Sequence, residues 1–239
     1  MKVNLIMPMG GAGSRFAAKG YELPKPMMDL NGIPFFYWAS QSLMGHMDIA
    51  GTTFVILQEH ADKYGLDDKI KGFFPDANIV YLEEVLNGAV MTCMEGAKTI
   101  GNDYPIIFCD CDLMFACDSL YDFYKGDELD AEGTVVTFNS TSDRYSYVRL
   151  GADGYVSETA EKKVISDNAI CGAYGFANKD IFMRASLKYM SKCPYDEYYM
   201  SGLFNILIAD GMKVRSFNVD EMVSFGTPEE YEVALDILT

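Results

Sequence analysis

Residues 1–26 read MKVNLIMPMGGAGSRFAAKGYELPKP, and the rest of the chain is organised around this run. The apolar segment Val3–Met9 predicts a buried strand, since a short apolar run bounded by turn residues is typical of one. The glycines in residues 10–13 allow the backbone to bend sharply and to approach a ligand closely. Successive N–H groups in such a loop can bind an anion, and Arg15 adds a fixed cation.

Lys25 stands between two prolines, Pro24 and Pro26. Proline fixes its own φ and restricts the residue before it, so we expect Lys25 to lie in a stiff, extended segment. A glycine loop, an arginine and a rigidly mounted lysine behind one strand predict a cradle for a polyphosphate. The glycines alone would indicate no more than a turn between a strand and a helix.

Two common glycine-rich loops are excluded. The dinucleotide-binding pattern G-x-G-x-x-G needs a glycine where Phe16 stands, and the phosphate loop G-x-x-x-x-G-K-[ST] does not occur. The pattern that remains, G-x-G-x-R followed by Lys-Pro, resembles the sugar-phosphate nucleotidyltransferases. That family transfers a nucleoside monophosphate from an NTP to a phosphorylated acceptor and releases pyrophosphate. The resemblance implies catalytic roles for Arg15 and Lys25 and nucleotide binding by Met9, Gly10, Gly11, Ala12, Gly13 and Ser14.

Composition and charge set further limits. The 239 residues are long enough for one sizeable α/β core. The net charge of −16 disfavours nucleic acid and anionic membranes as partners. No apolar run reaches about 18 residues, and no basic leader with a long apolar stretch is present, so a cytoplasmic protein is expected.

The cysteines do not indicate a metal centre. None of the six has C-x-x-C spacing, and only two histidines, His46 and His60, are present, which argues against a zinc site. Most of the cysteines lie in apolar runs and are expected to be reduced core residues.

Two further strands and a helix follow the opening segment. Residues 53–57 and 78–82 predict buried strands, and Gly88 is expected to begin a helix that ends near Ile100. In the family that the chain resembles, the glycine after the third strand contacts the nucleobase. The resemblance therefore implies nucleotide binding by Asn87 and Gly88.

A second informative stretch joins an apolar strand, residues 105–108, to two carboxylates, Asp110 and Asp112. Catalytic groups and ligands of open α/β sheets gather at such strand ends. Mg²⁺ typically binds one or two carboxylates together with substrate phosphates. The resemblance implies that Asp112 holds the metal, and Asp110, two residues away on an extended backbone, should point to the same side as a second ligand or an accessory contact.

The second half of the chain resembles the acceptor-binding part of the same family. Residues 120–132 predict an acidic helix or loop on the surface, and residues 133–138 a further central strand. A hairpin is expected over residues 145–159, with its turn at Ala152-Asp153-Gly154. The resemblance implies acceptor binding by Glu161, Lys162, Gly172 and Glu197. Lys163 stands where the family usually has proline, so the sequence does not decide between Lys162 and Lys163.

The C-terminal segment departs from the family pattern. Thr227 is expected to cap a helix that begins at Pro228. Many relatives carry an aspartate, the second metal ligand, where this chain has Ser224. The second ligand could then be missing, or could come from Asp220, Glu221 or Asp110.

These features predict one α/β domain over residues 1–239, with a nucleotide-binding part (1–140) and an acceptor-binding part (141–239). We expect a Rossmann-like three-layer sandwich with a mixed, mostly parallel sheet and a small β insertion between about residues 140 and 170. The resemblance implies an Mg²⁺-dependent nucleotidyltransferase acting on an NTP and a sugar 1-phosphate, or on a phosphocholine- or phosphonate-like acceptor with CTP. A homo-oligomer is compatible with the sequence.

Two other functions remain open. A nucleotide-binding regulatory module without turnover is suggested by Ser224, although such a binder has no need of Arg15, Lys25 and Asp112 together. A glycosyltransferase is suggested by the Asp-x-Asp string at residues 110–112. The glycine loop with Lys-Pro argues against the glycosyltransferase.

Overall fold

The computed structural model describes residues 1–238. In that range the strands are β1 (Val3–Met9), β2 (Asp29–Leu30), β3 (Ile33–Pro34), β4 (Ile49–Leu57), β5 (Asn78–Leu82), β6 (Ile106–Cys109), β7 (Leu113–Ala116), β8 (Gly133–Asn139), β9 (Tyr147–Leu150), β10 (Val156–Ala160), β11 (Asn168–Phe176), β12 (Val214–Asn218) and β13 (Glu221–Ser224). The helices are α1 (Ser14–Ala17), α2 (Phe35–Met44), α3 (Gln58–Tyr64), α4 (Leu66–Phe73), α5 (Ala89–Lys98), α6 (Asp118–Lys125), α7 (Lys179–Met190), α8 (Ser201–Ala209) and α9 (Pro228–Ile237).

The main sheet runs in the order β5-β4-β1-β6-β11-β8-β12. The pairs β1–β4, β1–β6, β4–β5 and β8–β12 are parallel, whereas β11 is antiparallel to both β6 and β8. Among these seven strands only β11 is therefore reversed. This arrangement confirms the predicted mixed, mostly parallel sheet.

Side-chain alternation along β1 divides the core into two layers. Leu5 packs with Leu43 of α2 and with residues of α6, and Met7 packs with residues of α2 and α4. Ile6 points to the other face, where it packs with residues of α5, α7 and α8. Helices therefore cover both faces of the sheet, and the predicted three-layer sandwich is confirmed.

The predicted β insertion is the hairpin formed by β9 and β10. Its turn contains Gly154 with φ +83°. β9 pairs with the first residues of β11, through Ala169 and Tyr147, while the later residue Ala173 pairs with Cys109 of β6. The hairpin thus lies beside the carboxyl end of β6, where the two aspartates follow.

The C-terminal segment returns to the same region. β13 pairs antiparallel with β7, and Ser224 stands opposite Leu113. The Oγ1 of Thr227 accepts a hydrogen bond from the backbone N–H of Glu230 at 3.2 Å, which confirms the predicted N-cap of α9. The chain therefore places residues 224–230 next to the segment that follows β6.

The expected acidic surface over residues 120–132 is wrong for its first turns. α6 buries Leu120, Tyr121 and Tyr124 against the sheet. Both tyrosine hydroxyl groups have partners: Tyr121 donates to the carbonyl of Ser42 at 2.8 Å, and Tyr124 lies 3.0 Å from Thr134 Oγ1. Of the acidic residues in this range, only Asp122 lies in α6, on its exposed side, and Asp127, Glu128, Asp130 and Glu132 follow in the loop after the helix.

Within residues 1–238, no helix is long and apolar enough to cross a membrane.

Candidate active site

The glycine loop begins where β1 ends, at the carboxyl edge of the parallel strands. It leads into α1, a single turn whose residue Arg15 is exposed. The loop borders a cavity of about 420 Å³, within the roughly 300–1,000 Å³ range of small-molecule sites. We call this cavity the loop pocket. Its lining residues are Pro8, Gly10–Ser14, Val85–Ala89, Thr92, Asp110 and Glu197.

A second depression, the hairpin cleft, adjoins the loop pocket through Asp110. It lies between the carboxyl end of β6, the approach to the β9–β10 hairpin and the start of α9. Its lining residues are Arg15, Asp110, Asp112, Leu113, Phe138, Arg144, Tyr145, Ser146, Ile170, Cys171, Gly172, Tyr174, Met222, Ser224, Gly226, Thr227 and Glu230.

Seven of the eight residues with a predicted nucleotide contact line the loop pocket together: Gly10, Gly11, Ala12, Gly13, Ser14, Asn87 and Gly88. The eighth, Met9, is only 2% exposed and packs in the core with Met7 and Phe36. It reaches solvent at a small depression around Lys25. Met9 can therefore contribute little more than its backbone to a ligand site.

Gly88 requires the absence of a side chain. Its φ is +94°, and a Cβ there would lie 2.5 Å from the backbone nitrogen of Tyr198. Hydrogen bonds between the two segments hold this contact: Val90 N–H donates to Tyr198 O at 3.0 Å, and Tyr198 N–H donates to Asn87 O at 3.4 Å. The loop before α5 is thus joined to the loop before α8.

This junction explains the position of Glu197. The family resemblance implied that Glu197 binds the acceptor, but the structure places it in the lining of the loop pocket, together with the glycine loop. It is not among the residues that line the hairpin cleft. Its assignment to the acceptor stays a prediction that the geometry does not favour.

Lys25 is the first residue of a 3-10 turn, Lys25–Met27, rather than part of an extended segment as predicted. Pro24 has the extended conformation instead, and Pro26 fits the turn because its fixed φ suits an early helical position. The Lys25 ammonium lies 2.7 Å from Asp112 Oδ2, and both side chains are mostly buried. Burial lowers the pKa of Lys25, but the nearby Asp112 carboxylate outweighs this effect, so the pKa is raised and the lysine is charged.

Asp110 and Asp112 face the same cleft, as the alternation of side chains predicted. The backbone N–H of Asp110 donates to Gly172 O at 2.9 Å. Burial raises the pKa of the Asp110 carboxyl to about 7, the negative charge of Asp112 adds to this, and Lys25 opposes it. Within residues 1–238 the Asp110 carboxylate has no hydrogen-bond donor among the protein groups.

The carboxylates of Asp110 and Asp112 fit the ligand preference of a magnesium ion. In the described part of the chain, no three His, Cys, Asp or Glu side chains are grouped to hold a metal. Magnesium does not need such a cage, because it binds one or two carboxylates and completes its shell with water and phosphate oxygens. Asp110, without a donor and next to a second carboxylate, has the environment in which a cation would relieve charge repulsion.

The structure narrows the choice of a second ligand. Asp220 lies at the end of the β7–β13 pair that is remote from Ser224, and its Oδ2 accepts a hydrogen bond from Asp118 N–H at 2.8 Å. Glu221 stands opposite Ala116, also away from the cleft. The Ser224 hydroxyl lines the cleft but donates to Glu230 Oε2 at 2.8 Å. Of the three candidates, only Asp110 lies beside Asp112.

The predicted acceptor residues are distributed over two places. Gly172, with φ +95°, lines the hairpin cleft, and a Cβ there would lie 2.6 Å from Asp110 Oδ2. Glu161 Oε2 accepts hydrogen bonds from Ser146 Oγ and, at 2.8 Å, from Ser201 Oγ. Ser146 borders the cleft, so Glu161 lies directly behind its wall.

The side chain of Lys162 points to Tyr199 and not into the hairpin cleft. Its φ is +50°, and its ammonium lies 3.1 Å from the Tyr199 hydroxyl and 4.7 Å from the centre of the same ring. The hydrogen bond to Tyr199 raises the pKa of Lys162. Lys162 does not line the hairpin cleft. A role in holding the acceptor phosphate would require it to leave Tyr199, and this role stays a prediction.

Sequence reasoning did not find Arg144, Tyr145, Ser146 and Glu230 as residues of the cleft. The approach to the hairpin gave no local signal for three of them. For Glu230 a signal exists, because Thr-x-x-Glu at residues 227–230 is a capping box, yet it indicates a helix start rather than a site.

The fold of this chain is shared with known proteins. No protein-family model matches the chain, and no curated protein matches it. The solved structures that superpose over nearly the whole chain include two pyrophosphorylases and a CTP transferase. A nucleoside-diphosphate-sugar pyrophosphorylase from Vibrio cholerae RC9 has a TM-score of 0.83 and 22% identity, with 97% of this chain and 99% of that chain covered.

The second is an inositol-1-phosphate CTP transferase from T. maritima, with a TM-score of 0.78 and 14% identity, covering 98% of this chain and 94% of that chain. The third is a UDP-glucose pyrophosphorylase complexed with UDP-glucose, with a TM-score of 0.74 and 18% identity, covering 99% and 98%. Identities at this level show a shared fold. The chain has the fold of the nucleoside-diphosphate-sugar pyrophosphorylases and related nucleotidyltransferases, over nearly its entire length.

Proposed function

We propose that the protein transfers a nucleoside monophosphate from an NTP to a phosphorylated small acceptor and releases pyrophosphate. The observation that carries this proposal is the junction of the two cavities. The glycine loop, Lys25, Asp110 and Asp112 meet at one point, and Gly172 forms the wall on the acceptor side. The shared fold with pyrophosphorylases and a CTP transferase supports the same activity.

The reaction joins two bound substrates. An oxygen of the acceptor phosphate attacks the α-phosphorus of the NTP in line, a new P–O bond forms, and the bond to the β-phosphate oxygen breaks with its electron pair leaving on pyrophosphate. Positioning and charge neutralisation supply most of the rate in such transfers. The protein therefore has to hold two anionic substrates against a net charge of −16.

Each cation near the junction has a separate task. The backbone of residues 10–14, which lines the loop pocket, holds the triphosphate and then the leaving pyrophosphate. The Arg15 side chain lines the hairpin cleft and would have to turn towards the loop pocket to share this task. Lys25 bridges the α-phosphate and the acceptor phosphate. Its ion pair with Asp112 keeps the ammonium at the junction before substrates bind. No covalent enzyme intermediate is needed.

Asp112 and Asp110 would hold Mg²⁺. When bound there, the ion supplies neutralisation of phosphate charge. We assign nucleotide binding to residues 1–140 and acceptor binding to residues 141–239, although Glu197 lines the loop pocket and Arg15, Asp110 and Asp112 also line the hairpin cleft. A cytoplasmic location and a homo-oligomeric state stay predictions from the sequence.

A panel of substrates tests the proposal. The four NTPs and dTTP are each combined with Mg²⁺ and with sugar 1-phosphates, inositol 1-phosphate, phosphocholine and simple phosphonates, and pyrophosphate and nucleoside diphosphate are measured. One NTP with one acceptor should release pyrophosphate. In a parallel incubation with nucleotide-sugars as donors, release of nucleoside diphosphate would indicate a glycosyltransferase. NTP binding without any turnover would indicate the regulatory module.

A further inference from the structure

Arg144 is a cation of the hairpin cleft that the proposed mechanism does not use. It lies between β8 and β9 and lines the cleft together with Asp110 and Asp112. Its Nη2 donates to Glu230 Oε1 at 2.6 Å and also to the Tyr145 hydroxyl. The guanidinium carbon lies 4.7 Å from the centre of the Tyr145 ring. The side chain is therefore held in one place although it is half exposed.

Glu230 is the group that holds Arg144. In a capping box, the glutamate at this position bonds back to the N-cap backbone N–H. Here the backbone N–H of Glu230 donates to Thr227 Oγ1, but the Glu230 carboxylate does not bond to the backbone N–H of Thr227. Its Oε2 accepts from Ser224 Oγ at 2.8 Å and its Oε1 accepts from Arg144. The Glu230 carboxylate therefore bonds to side chains that line the cleft and not to the N-terminal backbone of α9.

Two consequences follow for a ligand in the cleft. The Arg144 guanidinium has five N–H donors. Among the hydrogen bonds within residues 1–238, only Nη2 of this group donates, to Tyr145 and Glu230. The N–H groups on Nη1 and Nε are therefore available to a ligand. One face of Tyr145 is already covered by the Arg144 guanidinium, and the Phe138 ring lies nearly perpendicular to the Tyr145 ring, with 4.9 Å between the ring centres. A ligand ammonium approaching the Arg144 side of Tyr145 would find that face occupied and would meet a like charge.

We infer that Arg144 is a specificity-determining residue of the acceptor site, whose guanidinium hydrogen-bonds to acceptor oxygen atoms beyond the reacting phosphate and excludes acceptors that carry an ammonium group there. Glu230 is its positioning residue. This inference rests on the proposed function, because it treats the hairpin cleft as the acceptor site.

A matched set of two-carbon phosphates tests the inference by direct binding. 2-Hydroxyethyl phosphate, phosphoglycolate and phosphoethanolamine differ only in whether the far end is neutral, anionic or cationic. Their affinities are measured calorimetrically, alone and with the best-binding NTP in the presence of EDTA, which prevents turnover. For the wild-type protein, the hydroxyl or the carboxylate compound should bind at least tenfold more tightly than phosphoethanolamine.

Two variants connect this preference to the pair. Arg144→Met keeps the length and removes the charge, and Glu230→Gln keeps a group suited to the capping box but releases the arginine. Both should reduce the preference to threefold or less. Arg149→Met is the control, since Arg149 lies in the same hairpin and pairs with Glu158 outside the cleft. It should keep the wild-type preference.

Equal wild-type affinity for the three compounds, no measurable binding of any of them, or an unchanged preference in Arg144→Met would overturn the assignment. The test is independent of catalysis. Absence of pyrophosphate release alongside a charge preference that depends on Arg144 would refute the proposed activity while leaving this binding role intact.

Discussion

At the scale of single residues, the ion pair between Lys25 and Asp112 is the centre of the site. The two groups lie 87 positions apart in the chain and are brought to 2.7 Å by the 3-10 turn after Pro24 and by the end of β6. Lys25 is proposed to contact the reacting phosphates, and Asp112 is proposed to hold Mg²⁺. Loss of a lysine that contacts these phosphates should lower kcat, whereas loss of a merely structural lysine should lower stability.

Replacement of Lys25 by alanine should separate these roles. We expect kcat to fall by roughly 100-fold or more, because removing one preorganised donor to a transition state typically costs about 10²–10³ in rate. The KM for the NTP should change by only a few fold, since the glycine loop still holds the triphosphate. Steady-state kinetics on the best substrate pair provides the measurement.

The matched control is Lys19→Ala. Lys19 belongs to the same N-terminal segment but is exposed and pairs with Glu229 outside both cavities. It should retain wild-type kcat. If Lys25→Ala also retains most of its turnover, Lys25 does not contact the transferring phosphate.

At the scale of elements, the junction between the loop before α5 and the loop before α8 depends on one glycine. Gly88 combines a positive φ with a backbone neighbour at contact distance. This junction fixes one wall of the loop pocket, so its distortion should affect both stability and nucleotide binding.

Gly88→Ala should destabilise the protein more than Gly154→Ala. A non-glycine residue at positive φ costs on the order of 1–3 kcal/mol, and this applies to both sites, since Gly154 has φ +83°. Nothing lies within 4 Å of a Cβ at Gly154, whereas at Gly88 the Cβ would overlap the Tyr198 backbone. Overpacking of this kind adds about 1–3 kcal/mol.

Urea unfolding of both variants and NTP titrations give the comparison. Gly154→Ala should bind the NTP as the wild type does, and Gly88→Ala should bind it at least tenfold more weakly. Equal loss of stability in the two variants would mean that the 88–198 contact relaxes without cost.

The elements were also the part of the structure that the sequence predicts best. The strand before the glycine loop, the strand before the two aspartates and the hairpin around Gly154 each carry a local signal, an apolar run or a turn residue at a defined position. The family resemblance then ordered them. Lys25 is an exception, because the preference of a residue before proline is weaker than the hydrogen bonds of the turn it enters.

The acceptor side could not be predicted to the same depth. Arg144 and Glu230 are 86 positions apart and meet only because β13 returns beside β7. Lys162 lies on Tyr199, 37 positions away, and no pattern around it indicates this partner. Such contacts depend on how distant elements pack together. The charge and composition of one segment therefore do not predict which residue of another segment it will contact.

At the scale of the whole molecule, stability should depend on pH through His60. Its Nδ1 is buried without a hydrogen-bond partner among residues 1–238, and burial lowers the pKa of the imidazole, with Glu59 opposing this effect. The unfolded chain therefore binds the proton more readily. As the pH falls through about 6.5, the ordinary value for histidine, the contribution of neutral His60 to the stability of the folded state is lost. Asp110, whose pKa is raised, contributes with the opposite sign in both the wild type and a His60 variant.

His60→Gln should weaken this dependence. The free energy of unfolding is measured by urea titration at pH 7.5 and at pH 5.5 for both proteins. The wild type should lose more of it on acidification than the variant does. Equal losses would mean that His60 titrates alike in the folded and unfolded states.

The whole account depends on which phosphorus of the NTP is transferred, and its most direct test follows the fate of two labels. The protein, Mg²⁺, the acceptor that supports turnover, and either [α-³²P]- or [γ-³²P]-labelled NTP are incubated and the products separated. The account predicts the α label in a nucleotide-linked acceptor and the γ label in pyrophosphate. A γ label on the acceptor, or an α label retained in nucleoside diphosphate, would contradict it.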